Sequence, residues 1–482
     1  MPDKIQISEK DNVAVALQEI SLKEVIQPGH KIALKDIHKG EAIIKYGSPI
    51  GTATEDIPAG AHVHTHNMKT NLGSDLTYTY KPALDWQSRK VPDDMLSFMG
   101  YERADGRVGI RNEIWIIPTV GCVNGIAKTI ATECADSEKS AAIPFAHPFG
   151  CSQMGEDQEH TRKILADLIL HPNAGGVLVL GLGCENSGVD VIREYLGDYD
   201  KERIRFLICQ DVEDEIAEGK KIVEELASLC KKDKRSRQPV SKLTVGLKCG
   251  GSDGLSGITA NPVVGELSDL VVSAGGSTIL TAVPEMFGAE TLLMERAADR
   301  EIFDKTVSLI NGFKDYFRSH GETISENPSP GNKAGGITTL EDKALGCTQK
   351  SGSAPVKGVL SYGERVGDNK GLHLLEAPGN DLVAATALTA SGAQMILFTT
   401  GRGTPFACPV PTMKISTNSL LAKKKSVWID FDCGRMLSEE ATREELGLEL
   451  YDRVLALANG EYVKSEKAGY ADLAIWKQGV TL

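Results

Sequence analysis

The sequence predicts an α/β protein: a small N-terminal β module followed by two doubly wound parallel α/β regions. Three observations carry this. Residues 1–70 alternate short apolar runs with Gly and Pro turns, the punctuation of short strands. From Glu113 the rhythm changes to apolar strand, turn and helix, repeated four times, as in a parallel sheet covered on both faces. A second series of such units begins after residue 239.

In the module, turn signals fall at Gln27-Pro28-Gly29-His30, His38-Lys39-Gly40, Gly47-Ser48-Pro49 and Ile57-Pro58-Ala59-Gly60, and a last strand over 61–67 carries three histidines. Residues 71–97 are polar, hold Pro82 and Pro92, and read as a linker. The first α/β domain, 98–238, pairs strand 113–118 with helix 124–136, strand 141–146 with helix 156–171, strand 177–180 with helix 189–196, and strand 205–209 with helix 213–231. The basic run 231–239 reads as a hydrated connector. The second α/β domain, 239–482, begins with strand 243–248, a helix from about residue 261, strand 278–282 and a long helical stretch over 285–320. Helix 381–391, strand 395–399 and helix 443–458 complete it.

At 482 residues the chain exceeds a single core. Its net charge of -13, from 53 basic and 66 acidic residues, argues against a nucleic-acid or membrane partner, since either recruits a basic surface. A small anion held by a few local Lys or Arg stays open, as does an assembly of identical subunits. The first 22 residues have no apolar leader core, and no apolar run of about 18 residues occurs. A cytoplasmic protein is expected, and its ten Cys read as thiols rather than disulfides.

Chemistry points first to Ala61-His62-Val63-His64-Thr65-His66-Asn67, which holds three of the ten His. On an extended strand, residues two apart share a face, so three imidazoles would line one side as a surface for zinc, iron or manganese. Ligands of open α/β sheets bind beyond the carboxyl ends of strands. The expected strand-end loops repeat a Cys beside Gly and polar groups: Cys122 with Asn124, Cys151 after His147, Cys184 with Glu185 and Asn186, Cys209, Cys249 before Ser252 and Asp253, and Cys408 before Lys414. No P-loop or dinucleotide fingerprint is present. Arg111 is a candidate carboxylate clamp.

Together with the histidine segment, Gly100 through Asn112, Gly150 through Gln153, His171 through Gly176, Gly181 through Glu185 and Lys248 through Asp253 resemble the altronate/galactarate dehydratase family over nearly the whole chain. The resemblance implies a SAF-type β-clip fold for the module. It also implies loss of water from a sugar acid, altronate foremost, to a 2-keto-3-deoxy acid with a divalent metal, Fe(II) or Mn(II). That chemistry needs an enediolate stabilised by a metal, a base for the α-proton and an acid for the departing hydroxyl. The metal is assigned to His62, His64 and His66 with a carboxylate from Glu156, Asp157 or Glu185. The substrate carboxylate falls to Arg111, Lys248 or Lys414, the hydroxyls to Asn124, Asn186, Ser252 and Asp253, and the base to His147 or Lys248. Three other readings remain open: galactarate as substrate, an iron–sulfur hydro-lyase with Cys122, Cys151 and Cys184 on the cluster, and a sugar-acid sensor. Against the cluster stands the lack of a C-x2-C pattern, and against the sensor the lack of a basic recognition helix.

Overall fold

The computed structural model describes residues 2–21, 24–73, 77–135, 142–438 and 440–482. In the N-terminal module, Lys4–Ile5, Val13–Ala16, Lys31–Ala33 and His62–Val63 form one antiparallel sheet, and Ala42–Lys45, Ser48–Ala53 and Met68–Lys69 a second. So small a unit encloses little apolar surface of its own. Its core of Val13, Ile43, Ile50, Ile57 and Val63 is completed by Ala289, Ala344 and Leu345 from the second α/β region. Lys31 Nζ lies 2.8 Å and Lys45 Nζ 2.9 Å from the two oxygens of Asp342, all three side chains being buried. Burial, partly offset by Asp342, brings Lys31 down to about 8, and the two ammoniums hold the Asp342 carboxyl well below its usual range.

Backbone meets backbone at the same seam. A Cβ on Gly254 would stand 1.9 Å from the Gly29 carbonyl oxygen, and one on Gly336 2.2 Å from it. Residues 70–92 carry no helix or strand among the described residues, yet they are tied to the second region. The Tyr78 hydroxyl donates to Glu290 at 2.6 Å and Arg89 pairs with Glu266 at 2.8 Å.

The first parallel sheet runs in the order Ala142–Pro144, Glu113–Pro118, Ala174–Gly181, Ile204–Ile208. Alternate residues serve opposite faces. Ile114, Ile116, Leu178 and Leu180 pack beneath helices Asn124–Ala135 and Glu215–Cys230, while Trp115, Ile117, Val177 and Val179 face helices Gly155–Ile169 and Val189–Leu196. The expected ends Asp136 and Ala141 lie outside the described residues. The second region holds one seven-stranded parallel sheet, ordered Val356–Leu360, Leu372–Leu375, Ser277–Leu280, Thr244–Cys249, Met395–Thr400, Thr412–Ser416, Phe431–Asp432. Among the described residues no helix is long and apolar enough to cross a membrane.

Three expectations change. The basic connector supplies strand Ser236–Pro239, antiparallel to Ser97–Glu102, because the edge of that strand offers it backbone partners. The long helix over 285–320 is broken into the turn Val283–Met286 and helices Glu290–Met294 and Arg300–Ser319. Gly288 takes φ +91°, and Asp299 caps the last helix by accepting from Ile302 N at 2.9 Å. The histidine strand stops at Val63.

Candidate active site

Asn67 ends that strand. Its buried Oδ1 accepts from His64 N at 3.0 Å and its Nδ2 donates to the His62 carbonyl at 2.9 Å. The chain therefore curls, and the imidazoles gather in a group instead of standing in a file. His30, from the Pro28-Gly29 turn, joins them. Ring centroids are 5.1 Å apart for His30–His62 and His30–His64, 5.3 Å for His62–His64 and 5.5 Å for His62–His66.

Neighbouring carbonyls fix the proton positions. His64 Nε2 lies 2.9 Å from the Lys333 oxygen and His30 Nε2 3.3 Å from the Ala334 oxygen. A carbonyl only accepts, so both Nε2 atoms carry the proton and both Nδ1 atoms keep a lone pair. His30 Nδ1 is 3.0 Å from His62 Nε2. His62 therefore donates there and keeps its own Nδ1 lone pair, 4.0 Å from Glu24. Burial lowers the pKa of His30 and, helped by neighbouring positive charge, brings His62 and His64 down to about 4. At neutral pH these rings are neutral donors.

The two carbonyls belong to helix Pro330–Ala334, which leans on the loop after the central strand Thr244–Cys249. Asn332 Nδ2 donates to the Ser252 carbonyl at 2.9 Å, and Gly254 N to the Gly335 carbonyl at 2.7 Å. Asp253 is enclosed there, 2.9 Å from Thr417 Oγ1 and 3.0 Å from Ser256 Oγ. Exposed Arg402 follows the adjacent strand, its N donating to the Gly251 carbonyl at 2.9 Å; a Cβ on Gly331 would lie 3.9 Å from its Nε. One short helix at the carboxyl end of the seven-stranded sheet thus borders both the imidazoles, at Lys333 and Ala334, and the guanidinium, at Gly331.

The chain matches three family models in order: an altronate/galactarate dehydratase SAF domain over 2–71, the second domain of D-galactarate dehydratase/altronate hydrolase over 100–231, and the C-terminal domain of D-galactarate/altronate dehydratase over 240–481. It is 50% identical to an altronate dehydratase of Bacillus subtilis (strain 168) over the whole of both chains. It is 51% identical to an altronate dehydratase of Escherichia coli (strain K12) over 99% of each. A galactarate dehydratase (L-threo-forming) of the latter organism is 32% identical over 95% of this chain and 93% of its own. The chain belongs to the altronate/galactarate dehydratase family. This dehydratase is a hydro-lyase acting on a sugar acid.

The expected site residues of the dehydratase divide between two places. His62, His64 and His66 meet Ser252 and Asp253 across helix Pro330–Ala334, whereas Asn124, His147, Glu156, Asp157, Glu185 and Asn186 surround the carboxyl end of the first sheet. Asp157 takes the backbone N–H groups of Gln478 and Gly479, each at 2.7 Å. Glu185 takes Thr119 Oγ1 at 2.5 Å and Gly183 N at 2.7 Å, and exposed Glu156 begins a helix. Among the described residues only Glu24 lies within ion-pair reach of the grouped imidazoles.

Arg111 is spent as well, forked onto Glu466 at 2.7 and 2.9 Å, with further bonds to the carbonyls of Ile110, Leu457 and Glu461. Its buried pair fastens the two α/β regions together and leaves no donor for a substrate. Buried His147 donates Nε2–H to the Pro118 carbonyl at 2.7 Å and accepts from Phe149 N at 3.2 Å, so no free nitrogen remains for a base. Lys248 is paired with Asp381 at 2.9 Å, and despite burial the attraction of Asp381 and Glu285 raises its pKa, which holds its proton. Lys414 donates to the Phe406 carbonyl and is brought by burial to about 8. Asn124 bridges to the His147 carbonyl at 2.8 Å, and Asn186 accepts from Ser152 N at 3.1 Å. His30, Glu24 and Arg402 are not among the expected site residues; His30 was expected only as part of a turn. Arg402 carried a usable signal, a Gly-Arg-Gly turn directly after an expected strand.

Two donor groups can be tested against a divalent metal. In the histidine group, the Nε2–H atoms of His30 and His64 are bonded to main-chain carbonyls, the pattern of ligating imidazoles, and the donor set fits Fe(II) or Mn(II). His30 Nδ1 accepts from His62 Nε2 and His64 Nδ1 faces Thr65 Oγ1, each at 3.0 Å, so a metal would replace those two bonds and draw in donor atoms that do not all lie within 4.8 Å of one another. The second group is Cys249, Glu285 and Cys347, whose donor atoms lie within 4.8 Å of one another. There Lys350 Nζ already stands 3.1 Å from Cys249 Sγ and Lys343 Nζ 2.8 Å from Glu285. A dication would face two buried ammoniums, so this group fits a metal poorly.

Proposed function

We propose that the protein removes water from D-altronate, giving the 2-keto-3-deoxy acid, in the cleft where the N-terminal module meets the seven-stranded sheet. The two relatives named altronate dehydratase, at 50% and 51% identity, support this substrate over galactarate, named for a relative at 32%. One observation carries the location: three neutral imidazoles, two of them oriented by the carbonyls of helix Pro330–Ala334, stand at the carboxyl end of a parallel sheet with Arg402 beside Gly331 of the same helix.

His30, His62 and His64 would hold a divalent ion, Fe(II) or Mn(II), by their Nδ1 atoms. When bound, it would supply a positive charge that acidifies the α-proton of the hydroxy acid. Arg402 pairs its planar fork with the substrate carboxylate. His66, the exposed ring beside His62, takes the α-proton on an imidazole nitrogen and can return it to the leaving 3-hydroxyl. Asp253 and Ser252 line the floor and orient the loop. The module closes the cleft and limits water, which strengthens these charge interactions.

The test is a panel of C6 aldonates and aldarates offered to chelated and then metal-restored enzyme. Altronate should yield the 2-keto-3-deoxy acid only after Fe(II) or Mn(II) is returned. Metal-replete enzyme that turns over no member of the panel ends this reading.

A further inference from the structure

Three of the ten cysteines are exposed, and all three stand together at the carboxyl end of the first sheet: Cys122, Cys151 and Cys184. A free thiol ordinarily behaves as a small buried apolar group, and of the other seven, six are buried and Cys230 half-buried. The exposed three follow three neighbouring strands, and the place is the switch point of the sheet, where the first strand lies between the second and third.

Their loops are laced into one platform. Gly121 N donates to the Phe149 carbonyl at 2.9 Å, and Ser187 N to the Gly150 carbonyl at 3.0 Å. Thr119 Oγ1 reaches Glu185 at 2.5 Å. A Cβ on Gly150 would stand 1.9 Å from the Thr119 carbonyl oxygen, so the first two loops touch backbone to backbone. Each exposed cysteine is the immediate neighbour of one of these contact residues: Cys122 of Gly121, Cys151 of Gly150, Cys184 of Glu185. Amides line the rim: Cys151 Sγ donates to Asn186 Oδ1 at 3.4 Å, and Gln210 Nε2 lies 3.8 Å from Cys184 Sγ.

Thiolates are soft ligands that select zinc or iron–sulfur clusters. Among the described residues the only group whose donor atoms all fall within 4.8 Å is Cys249, Glu285 and Cys347. The three exposed sulfurs form no such group, and thiols on three loops laced side by side suit a larger body with metal at its corners. Cys209, at the end of the fourth strand, is buried in the apolar cluster with Leu207 and Val212 and offers no fourth thiolate.

We propose that Cys122, Cys151 and Cys184 hold an iron–sulfur cluster by three thiolates, leaving one iron open to an oxygen ligand such as water or a hydroxy-carboxylate. Ligation replaces three thiol protons, which pass to solvent, and moves no electrons. This centre is separate from the histidine group.

The test is acid-labile sulfide, iron and the visible spectrum of anaerobically purified full-length enzyme. Pale protein is first reconstituted with ferric iron, sulfide and dithiothreitol, whose oxidation to a disulfide supplies the two electrons that reduce two of four ferric ions. The wild type should be brown with about four sulfides per chain, the count of a cubane cluster. Cys184→Ser should lose most of the colour, and the variant with all three cysteines changed to Ser all of it, at an unchanged thermal midpoint. His64→Ala should keep sulfide and colour, so failure of the histidine site is read separately. A wild type without sulfide after reconstitution, zinc in place of iron, or colour that survives in the triple variant overturns the proposal.

Discussion

His64 donates its Nε2 proton to the main-chain carbonyl of Lys333 at 2.9 Å, joining residues 269 positions apart. One hydrogen bond thus sets the tautomer of an imidazole in the proposed metal site and helps fasten the N-terminal module over the sheet that carries Arg402. His64→Ala removes a ligand, and since loss of outer-shell support alone costs about 10- to 100-fold in metal affinity, at least that loss is expected by metal titration. His66→Gln should behave differently. Metal content stays and kcat falls, by about 100-fold if the ring moves the α-proton.

Arg402→Ala should raise KM for the sugar acid by about 10- to 100-fold, the value of a charge-assisted hydrogen bond, with metal content unchanged. Arg402→Lys keeps the charge but not the fork and should recover only part of the loss. Steady-state kinetics on altronate decide, and an unchanged KM in Arg402→Ala would remove the residue from the substrate contacts.

Gly254→Ala places a methyl group 1.9 Å from the Gly29 carbonyl oxygen, where neither backbone has room to yield. The module should shift off the sheet while both α/β cores stay folded. Activity should fall at least tenfold, with increased proteolysis within residues 1–70 and little change in the far-ultraviolet circular dichroism. Full activity in this variant would mean that the seam tolerates opening.

Acid should destabilise the joint between the two α/β regions. His171 stacks on Trp115 with centroids 5.3 Å apart and donates to the Ala393 carbonyl at 3.2 Å; burial brings its pKa down to about 3. The unfolded chain takes that proton near pH 6.5, the folded chain only near pH 3, so the unfolded state binds more protons between the two. Stability from this residue is whole above about pH 6.5 and declines as pH falls toward 3. Urea midpoints at pH 7.5 and pH 5 should show the decline, and His171→Gln should flatten it.

Much of the α/β body was legible because buried parallel strands and amphipathic helices write their period into the chain: 113–118 and 189–196 form the strand and helix expected there. Strands such as Leu372–Leu375 and Phe431–Asp432 escaped, since runs so short carry no period of their own. The histidine motif was legible as chemistry but not as geometry, because the Asn67 side chain, not strand alternation, arranges the rings.

What the sequence determined by itself was the inventory: three histidines in five residues, thiols at strand ends, the strand-helix alternation of the first α/β domain, and the family those motifs resemble. Tertiary structure decided which of these groups meet. Glu156, Asp157 and Glu185 were placed at the end of a different sheet, Arg111 was consumed in an ion pair with Glu466, His30 was brought to the histidines from a distant turn, and Arg402 to the helix on which they lean. The physical reason is that a buried polar group must satisfy its hydrogen bonds wherever the fold puts it. Whether a side chain is spent on the scaffold or left free for a ligand therefore depends on neighbours hundreds of residues away, which no local pattern records.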